Sequence, residues 1–245
     1  MALIESFRTI QIARSIREKL NAVKSLSSSP YDALLREMNS LAVENIIDGG
    51  ANVGQFGLDL YRHGFLGTIF SFEPIHQIFN TLEKTAMKHE DWHTFNLGLG
   101  SGKSFETINV SGNAGLSSSI LEMNKSHLMN FPNSGTVAQE KIELTCIKDE
   151  IKNLDLNPAN LAIKLDVQGY EYQALLGAGK FLREIPICFL ELSIDSLYQG
   201  EHDYLYILNF LSEAGHDVVE LFRGVTAKNG ALLQIDVVTK QRKFR

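Results

Sequence analysis

The chain has 245 residues, of which 44% are hydrophobic and 21% charged, a composition typical of a globular protein with one main domain. Its two cysteines, Cys146 and Cys188, are too few for a disulfide framework and lack the spacing of a metal site. No apolar run approaches the roughly 20 residues of a membrane helix, and Glu5 and Arg8 interrupt the stretch that a signal peptide would keep apolar. We therefore expect a cytoplasmic protein without a transmembrane segment.

The net charge of −6 is unevenly distributed along the chain. Residues 1–24 carry +3 and residues 240–245 carry +4, which leaves −13 for residues 25–239. A body this acidic repels polyphosphate, so we expect no nucleic-acid partner. The basic termini are compatible with a weak contact to an anionic membrane surface, but solvated terminal helices explain them as well.

The amino-terminal 40 residues are predicted to form a helical extension of the main domain, which then spans residues 41–245. Apolar residues between positions 3 and 23 fall near one helical face and predict an amphipathic helix. A linker follows at residues 25–30. Ser29 is expected to cap a second helix that has Pro30 at its first position, Asp32 in its first turn, and its end near Asn39.

Short apolar strands and helical stretches then alternate, which is the pattern of a parallel sheet covered by helices. Residues 100–146 interrupt the alternation and predict an inserted hairpin or lid. The last two strands are joined by a short link and should pair antiparallel. We therefore predict an α/β fold with a seven-stranded, mostly parallel sheet, an antiparallel last strand and the insert. The predicted strands span residues 45–48, 68–73, 93–97, 104–110, 141–146, 161–166, 187–192, 217–222 and 232–239, and the predicted helices span 55–63, 75–89, a stretch ending near 182, and about 203–214.

The first predicted strand runs directly into a glycine-rich turn at residues 48–54, followed by a helix. Such a turn lets the backbone approach a ligand and points helix N–H groups at it. Gln55 and Phe56 follow Gly54 where a Walker A loop needs Lys and Ser or Thr, and Ala51 replaces a glycine of the dinucleotide motif. A ligand without phosphates is favoured, and the carboxylate of Asp48 suits an ammonium or sulfonium group.

Glu73 ends the second strand, 19 residues after Gly54. A carboxylate at that place accepts hydrogen bonds from the two hydroxyls of a ribose in nucleoside-binding α/β folds. A glutamate before a helix also suits the positive end of the helix dipole, so Glu73 is informative mainly in combination with the glycine turn. Together they predict a nucleoside site.

The strand at residues 161–166 places Lys164 and Asp166 on one face, and the neighbouring strand carries Glu191. Asp166 is the first candidate for binding or deprotonating a substrate, with Glu191 the second. A structural ion pair between Lys164 and Glu191 is an equal alternative. Asp166 and Glu191 also suit Mg²⁺, but two carboxylates are too few to support a metal site.

Two other motifs are weaker. His89 and His93 match the zinc-protease pattern HExxH, but the pattern runs from a helix end into a strand, where the two histidines do not share a helical face. The loop at residues 112–119 lacks the GxSxG nucleophile elbow and does not follow a core strand. We therefore expect neither a zinc hydrolase nor a serine hydrolase.

In combination and in this order, four segments resemble the FkbM-type family of S-adenosylmethionine-dependent methyltransferases, over about residues 45–200. They are Ile47–Gly54, Phe72–Pro74, Leu116–Ser119 and Ile163–Glu171, the last followed by Leu176–Ala178. Two residues depart from the family pattern: Gly49 replaces a small aliphatic residue, and Gln168 replaces a frequent glutamate. The second change removes one acid, so no catalytic role is assigned to Gln168.

The resemblance implies a Rossmann-like class I methyltransferase fold, S-adenosylmethionine as cofactor, and O-methylation of a hydroxyl on a sugar, polyketide or related small molecule. The alternatives are a non-catalytic nucleoside-binding module of the same fold and a nicotinamide-dependent oxidoreductase. Asp166 and Glu191 are the predicted catalytic residues. The predicted cofactor-binding residues are Asp48, Gly49, Gly50, Asn52, Gly54, Glu73, Ser117 and Ser118. The insert is expected to close over the cofactor or the acceptor.

Overall fold

The computed structural model of the chain describes residues 29–244. The predicted amphipathic helix at residues 3–23 lies outside the described residues. The described residues form ten strands: β1 (Asn45–Gly49), β2 (Thr68–Phe72), β3 (Trp92–Phe95), β4 (Gly98–Leu99), β5 (Ser104–Ser111), β6 (Thr136–Thr145), β7 (Leu161–Leu165), β8 (Ile187–Ser193), β9 (His216–Arg223) and β10 (Gln234–Gln241).

In the part of the chain that the structure describes, seven helices and three short 3₁₀ segments accompany the strands. The helices are α1 (Pro30–Ser40), α2 (Gln55–Arg62), α3 (His76–Ala86), α4 (Lys125–Asn130), α5 (Ile147–Asn153), α6 (Glu171–Ala178) and α7 (Tyr204–Glu213). The 3₁₀ segments are Pro158–Asn160, Gly179–Arg183 and Arg242–Phe244. Within residues 29–244, no helix is both long enough and apolar enough to cross a membrane.

The main sheet has the strand order β3-β2-β1-β7-β8-β10-β9. All neighbours pair in parallel except β10, which is antiparallel to both β8 and β9. The order places the first and seventh strands side by side at the centre, so the segments that follow them meet at one sheet edge. The predicted α/β fold with seven strands and an antiparallel last strand is confirmed.

Apolar residues of the central strands alternate between the two faces of the sheet. Ile47 and Ile163 belong to a cluster covered by α5, α6 and α7, whereas their neighbours Ile46 and Ala162 belong to a cluster covered by α1, α2 and α3. Both strands are therefore buried on both sides, as expected for central parallel strands. Burial of these residues fixes the strand register, which in turn positions the polar side chains at the strand ends.

Helix α1 begins as the sequence predicts. Ser29 is its N-cap, accepting a hydrogen bond from the backbone of Asp32, while the Asp32 side chain accepts from the backbone of Ser29. Its apolar face, which includes Leu34 and Met38, is buried in the core cluster of α2 and α3. The proposed domain boundary at residue 40 stays a prediction.

The insert forms a separate three-stranded sheet of order β4-β6-β5, in which β5 and β6 make the predicted hairpin. Its second strand starts at Thr136, five residues before the predicted start, and the short β4 and helix α4 were not expected. Ile108, Ile142 and Leu144 of the insert pack with Ile75, which follows β2. This contact places the insert beside the carboxyl ends of the first strands.

Candidate active site

A cavity of about 380 Å³ lies where the carboxyl ends of β1, β2 and β7 meet the insert. Small-molecule sites of proteins span roughly 300–1,000 Å³, so its size suits one. Residues that follow the three strands line it, joined by side chains from α1, α2, β8, β10 and the insert. The site is therefore the crevice in which open α/β sheets bind ligands.

The glycine turn needs its glycines for two separate reasons. Gly50 has φ +73°, and a Cβ there would collide with the backbone carbonyl of Asp166. Gly54 has φ +96° at the N-cap of α2 and packs against the rings of Trp92. Gly50, Ala51 and Asn52 line the cavity, whereas Gly49 and Gly54 are buried behind it. The turn thus presents backbone rather than side chains to a ligand.

Asp48 does not line the cavity, although the sequence predicts contact with a cationic ligand group. Its carboxylate is fully buried, 2.9 Å from the ammonium of Lys164, and accepts a 2.9 Å hydrogen bond from Ser71. Ser71 in turn accepts a hydrogen bond from the Trp92 indole. Lys164 therefore pairs with Asp48, and the alternative pair with Glu191 is wrong.

Lys164 is 6% exposed, and its ammonium also donates to the carbonyls of Gly49 and Gly50, at 3.3 and 3.1 Å. Burial alone would lower the pKa of Lys164, but the carboxylates of Asp48 and Asp166 raise it above its ordinary value. The lysine is thus held charged and ties the glycine turn to β7. The predicted ligand contact of Asp48 stays a prediction.

Glu73 lies at the cavity wall directly after β2. One carboxylate oxygen accepts a 3.0 Å hydrogen bond from the backbone of Asn52 and the other a 2.9 Å bond from the backbone of Ile75. Burial raises the pKa of Glu73 to about 7. Each oxygen keeps a second lone pair, so the carboxylate, held by the glycine turn, retains acceptor capacity toward the cavity.

Asp166, Glu191 and Asp236 line the cavity together, at the neighbouring strands β7, β8 and β10. Glu191 of β8 and Asp236 of β10 are register partners in the antiparallel pair. Burial and the neighbouring carboxylate of Asp166 raise the pKa of Asp236 to about 6, and the same two causes raise the pKa of Glu191 well above its usual range. The structure thus joins the two predicted acids with a third, Asp236, which the sequence analysis missed.

Gln168 connects these acids to the rest of the fold. Its amide NH₂ donates to Asp166 at 2.6 Å and to Glu191 at 3.3 Å, while its amide oxygen accepts a 2.6 Å hydrogen bond from the hydroxyl of Tyr198. Its backbone carbonyl accepts a 2.6 Å bond from Ser119 of the insert. The sequence assigns Gln168 no role, although its departure from the family pattern and its place between Asp166 and Gly169 mark the position.

The serines of the insert have different positions. Ser118 and Ser119 line the cavity. Ser117 instead makes hydrogen bonds within the insert: its hydroxyl accepts from Asn113, and its backbone N–H donates to the hydroxyl of Ser111. The predicted cofactor contacts of Ser117 and Ser118 stay predictions, as does closure of the insert over a ligand.

Three aromatic side chains, those of Tyr31, Phe56 and Phe189, form the wall beside the acids. Ring centroids are 5.8 Å apart for Tyr31 and Phe56 and 6.0 Å apart for Phe56 and Phe189. The Lys164 ammonium lies 5.3 Å from the centre of the Phe56 ring. Tyr31 belongs to α1, so the segment before the predicted domain contributes to the cavity.

Glu171, the first residue of α6, is buried close to Asp166 and Glu191. Its carboxylate accepts hydrogen bonds from the backbone of Val167 and Gly169, both on one oxygen, and burial raises its pKa to about 8. The folded protein therefore binds this proton more tightly than the unfolded chain does. The resulting stabilisation is present below pH 4.5, the ordinary pKa, and is lost as the pH rises through about 8.

We expect Glu171→Gln to stabilise the fold at pH 9 relative to the wild type and to leave it unchanged near pH 4. The glutamine oxygen keeps both backbone hydrogen bonds, and no buried charge forms. Since one pKa unit corresponds to about 1.4 kcal/mol, the gain in free energy of unfolding should be a few kcal/mol. Urea unfolding at both pH values measures it, with the exposed Glu143→Gln as control. An equal stability of variant and wild type at pH 9 contradicts the prediction.

The zinc-protease pattern has no suitable context in the structure. His89 lies in the turn after α3 and stacks on Tyr61, whereas His93 lies on β3 and stacks on Phe70. Among residues 29–244, no group of three or more His, Cys, Asp or Glu side chains is arranged to hold a metal ion.

Comparison with protein families gives one match, to the methyltransferase FkbM domain, over residues 48–218. The chain belongs to the FkbM methyltransferase family. The match spans the glycine turn, Glu73, the insert and the acids of β7 and β8, and it confirms the prediction of an S-adenosylmethionine-dependent methyltransferase. A nicotinamide-dependent oxidoreductase is not supported.

Two of the solved structures that match the chain are named as methyltransferases. Magnesium protoporphyrin IX methyltransferase (ChlM) from Synechocystis PCC 6803, with bound S-adenosylmethionine, is 10% identical with a TM-score of 0.43, covering 86% of this chain and 77% of that one. An S-adenosylmethionine-dependent methyltransferase from Aquifex aeolicus is 12% identical with a TM-score of 0.39, covering 92% and 96% respectively. Similarity at this level carries no information on the substrate. The comparison with curated proteins found no match.

Proposed function

We propose that this methyltransferase binds S-adenosylmethionine in the cavity between the glycine turn and the insert, and methylates a hydroxyl of a sugar, polyketide or related small molecule. The observation that carries the proposal is that Glu73 and Asp166 line one cavity and follow the two strands that flank β1, so that the glycine turn lies between them. A hydrogen-bond acceptor for the ribose of the donor and a carboxylate for the methyl acceptor thus line the same cavity.

The donor side is formed by Glu73, the glycine turn and apolar side chains that follow β2 and β3. Glu73 is suited to accept the ribose hydroxyls because its own position is fixed by two backbone hydrogen bonds. Ile75 and Leu99 line the adjoining wall and offer an apolar surface to the adenine ring. Backbone groups of Gly50 to Asn52 face the methionine part.

The acceptor side is formed by the three aromatic rings and the three acids. Rings of Tyr31, Phe56 and Phe189 suit the apolar face of a sugar or a polyketide, and Asp236 and Glu191 offer oxygen atoms to its hydroxyls. Lys164 is the cation at this wall, and its charge is already balanced by Asp48. An acceptor rich in hydroxyls, without an anionic group, fits these side chains best.

Methyl transfer from a sulfonium is an in-line displacement in which the donor already carries the activated methyl group. The protein has to place the acceptor oxygen about 3 Å from that carbon and to receive its proton. Asp166 is 35% exposed, and its Oδ2 is 4.0 Å from the Lys164 ammonium, so it can take a proton from a hydroxyl in the cavity. The oxygen of the acceptor hydroxyl would form the new bond to the methyl carbon, and the electron pair of the broken carbon–sulfur bond would stay on sulfur.

Calorimetric titration with S-adenosylmethionine, S-adenosylhomocysteine, NAD and ATP tests the proposal. We expect the first two to bind and the others not to. Transfer of a radiolabelled methyl group to a panel of sugars and polyketides then tests the acceptor class. Binding without transfer to any hydroxyl would favour the non-catalytic nucleoside-binding alternative, and binding of NAD alone would contradict the proposal.

We expect Glu73→Ala to weaken binding of S-adenosylmethionine by roughly 1.5 to 3 kcal/mol, or about 10- to 150-fold, because charged hydrogen bonds to the ribose are lost. In the wild type, affinity should also fall as the pH drops from 8 to 6, since protonation removes the charged acceptor at a pKa of about 7. Calorimetry measures both effects, and the exposed Glu90→Ala serves as control. Equal affinity of Glu73→Ala and the wild type would remove Glu73 from the site.

A further inference from the structure

Gln168 lies where the acids of the cavity, the insert and the segment after β8 meet. Its side chain has contacts on both ends: the hydroxyl of Tyr198 at the amide oxygen, and Asp166 and Glu191 at the amide nitrogen. We propose that Gln168 is a positioning residue for methyl transfer, whose amide, oriented by Tyr198, holds the carboxylates of Asp166 and Glu191 at the cavity. The proposal rests on the proposed function.

The orientation of the amide follows from the chemistry of its neighbours. Tyr198 is fully buried and its hydroxyl donates to the Gln168 oxygen, with a second acceptor at 3.1 Å, the carbonyl of Ser117. Carboxylates only accept hydrogen bonds when ionised, so they require the NH₂ end. The carboxylates therefore select this orientation of the amide, since a flipped amide would set oxygen against oxygen at the acids, and the hydrogen bond from Tyr198 stabilises it.

The backbone of Gln168 is also fixed. Its φ of +53° lies in the left-handed region, which a residue other than glycine occupies at a cost. The hydrogen bond from Ser119 to its carbonyl, at 2.6 Å, holds this conformation from the side of the insert. The amide is thus placed by two different segments before any ligand binds, which is what preorganisation of a catalytic group requires.

The two carboxylates need such a donor because like charges surround them. Glu191 is held from the other side by Gln234, whose amide donates at 2.6 Å to the same oxygen that accepts from Gln168. Without the NH₂ group of Gln168, no shared donor would offset the repulsion between the carboxylates of Asp166 and Glu191, which already raises the pKa of Glu191. The ionisable groups that face Glu191 are Asp166 and Lys164 from β7, Asp236 from β10 and Glu171 from α6.

The test uses the charge of the ligand as the probe. S-adenosylmethionine carries a sulfonium and S-adenosylhomocysteine does not, while their amine, carboxylate and nucleoside are shared and largely cancel in the ratio of the two binding constants. Ionised carboxylates near the sulfonium favour the cation, so this ratio should rise with pH as the acids of the cavity lose their protons. Calorimetry between pH 5 and 7.5 gives the midpoint of that rise.

Gln168→Glu keeps an acceptor for Tyr198 and replaces the NH₂ donor by a carboxylate, whereas Gln168→Leu removes both. We expect the midpoint to move up by about one pH unit or more in Gln168→Glu, and in the same direction but less in Gln168→Leu. The matched control is Gln199→Glu, since Gln199 donates to Glu122 at an exposed position away from the cavity. Its midpoint should equal that of the wild type.

Tyr198→Phe provides a third variant in which the glutamine stays and only its orienting donor is lost. We expect a smaller upward shift of the midpoint than in Gln168→Glu. Thermal unfolding of every variant checks that it folds, and any one folded variant at position 168 suffices for the comparison.

A merely structural role of Gln168 would weaken both ligands alike and leave the midpoint where it is in the wild type, which would overturn the proposal. A wild-type ratio that does not change with pH would overturn it as well, while leaving the proposed function intact. If neither ligand binds the wild type, the proposed function fails and the role of Gln168 in methyl transfer fails with it.

Discussion

Replacing Asp166 by asparagine is expected to lower the rate of methyl transfer by about 10²- to 10⁴-fold if the carboxylate is the general base. The side chain lines the cavity after β7, on the other side of the glycine turn from Glu73, so affinity for S-adenosylmethionine should change far less than turnover. A neutral amide could still orient the acceptor by a hydrogen bond, so a purely orienting role would give a smaller loss. Single-turnover transfer to the best acceptor of the panel and calorimetry with the donor separate the two effects.

Asp195→Asn is the control for this experiment, because Asp195 accepts a hydrogen bond from Ser126 at an exposed position. Its turnover should match that of the wild type. Full activity of Asp166→Asn would exclude Asp166 as the base and direct attention to Glu191 and Asp236. The pH profile of the variant then shows whether one of these acids takes the proton.

Asp48→Asn is expected to destabilise the fold by about 3 to 5 kcal/mol, because it leaves the charge of Lys164 without its buried partner. Urea unfolding at pH 7 measures this loss. Replacing both partners, as in the double variant Asp48→Leu with Lys164→Met, should recover a large part of the stability, since no charge is then buried. The double variant thereby separates the loss of a partner from the loss of packing.

The same substitution decides between two roles of Asp48. The sequence predicts contact with a cationic group of the ligand, whereas the structure engages the carboxylate with Lys164 and Ser71. An unchanged free energy of unfolding combined with a large loss of affinity for S-adenosylmethionine would favour the ligand contact and contradict the stability prediction.

The sequence predicts those parts of the site that follow from local chain geometry. The glycine turn follows a buried strand, so its closeness to a ligand could be inferred from Gly50, and Glu73 was located by its place at the end of the next strand. Helix α1 and the β5–β6 hairpin were likewise visible in the pattern of caps, turns and apolar residues.

Contacts that depend on strand order could not be predicted in this way. Asp48 and Lys164 are register partners across β1 and β7, although 116 positions apart in sequence. Asp236 reaches the acids only because β10 inserts antiparallel between β8 and β9. Tyr31 reaches the cavity only because α1 folds back onto the sheet, and a single sequence contains no signal for these neighbours.

The collision that a Cβ at Gly50 would make with the carbonyl of Asp166 means that these two backbones touch with no space between them. Neither segment can shift without displacing the other, so the scaffold fixes the spacing between the glycine turn, proposed to bind the methyl donor, and Asp166, the proposed base. Acceptor preference can be changed without disturbing that geometry only from elements outside this contact. If the proposed site is correct, directed evolution toward a new acceptor should therefore start at Tyr31, Phe189 and Asp236, where substitutions reshape the cavity and leave the contact between Gly50 and Asp166 intact.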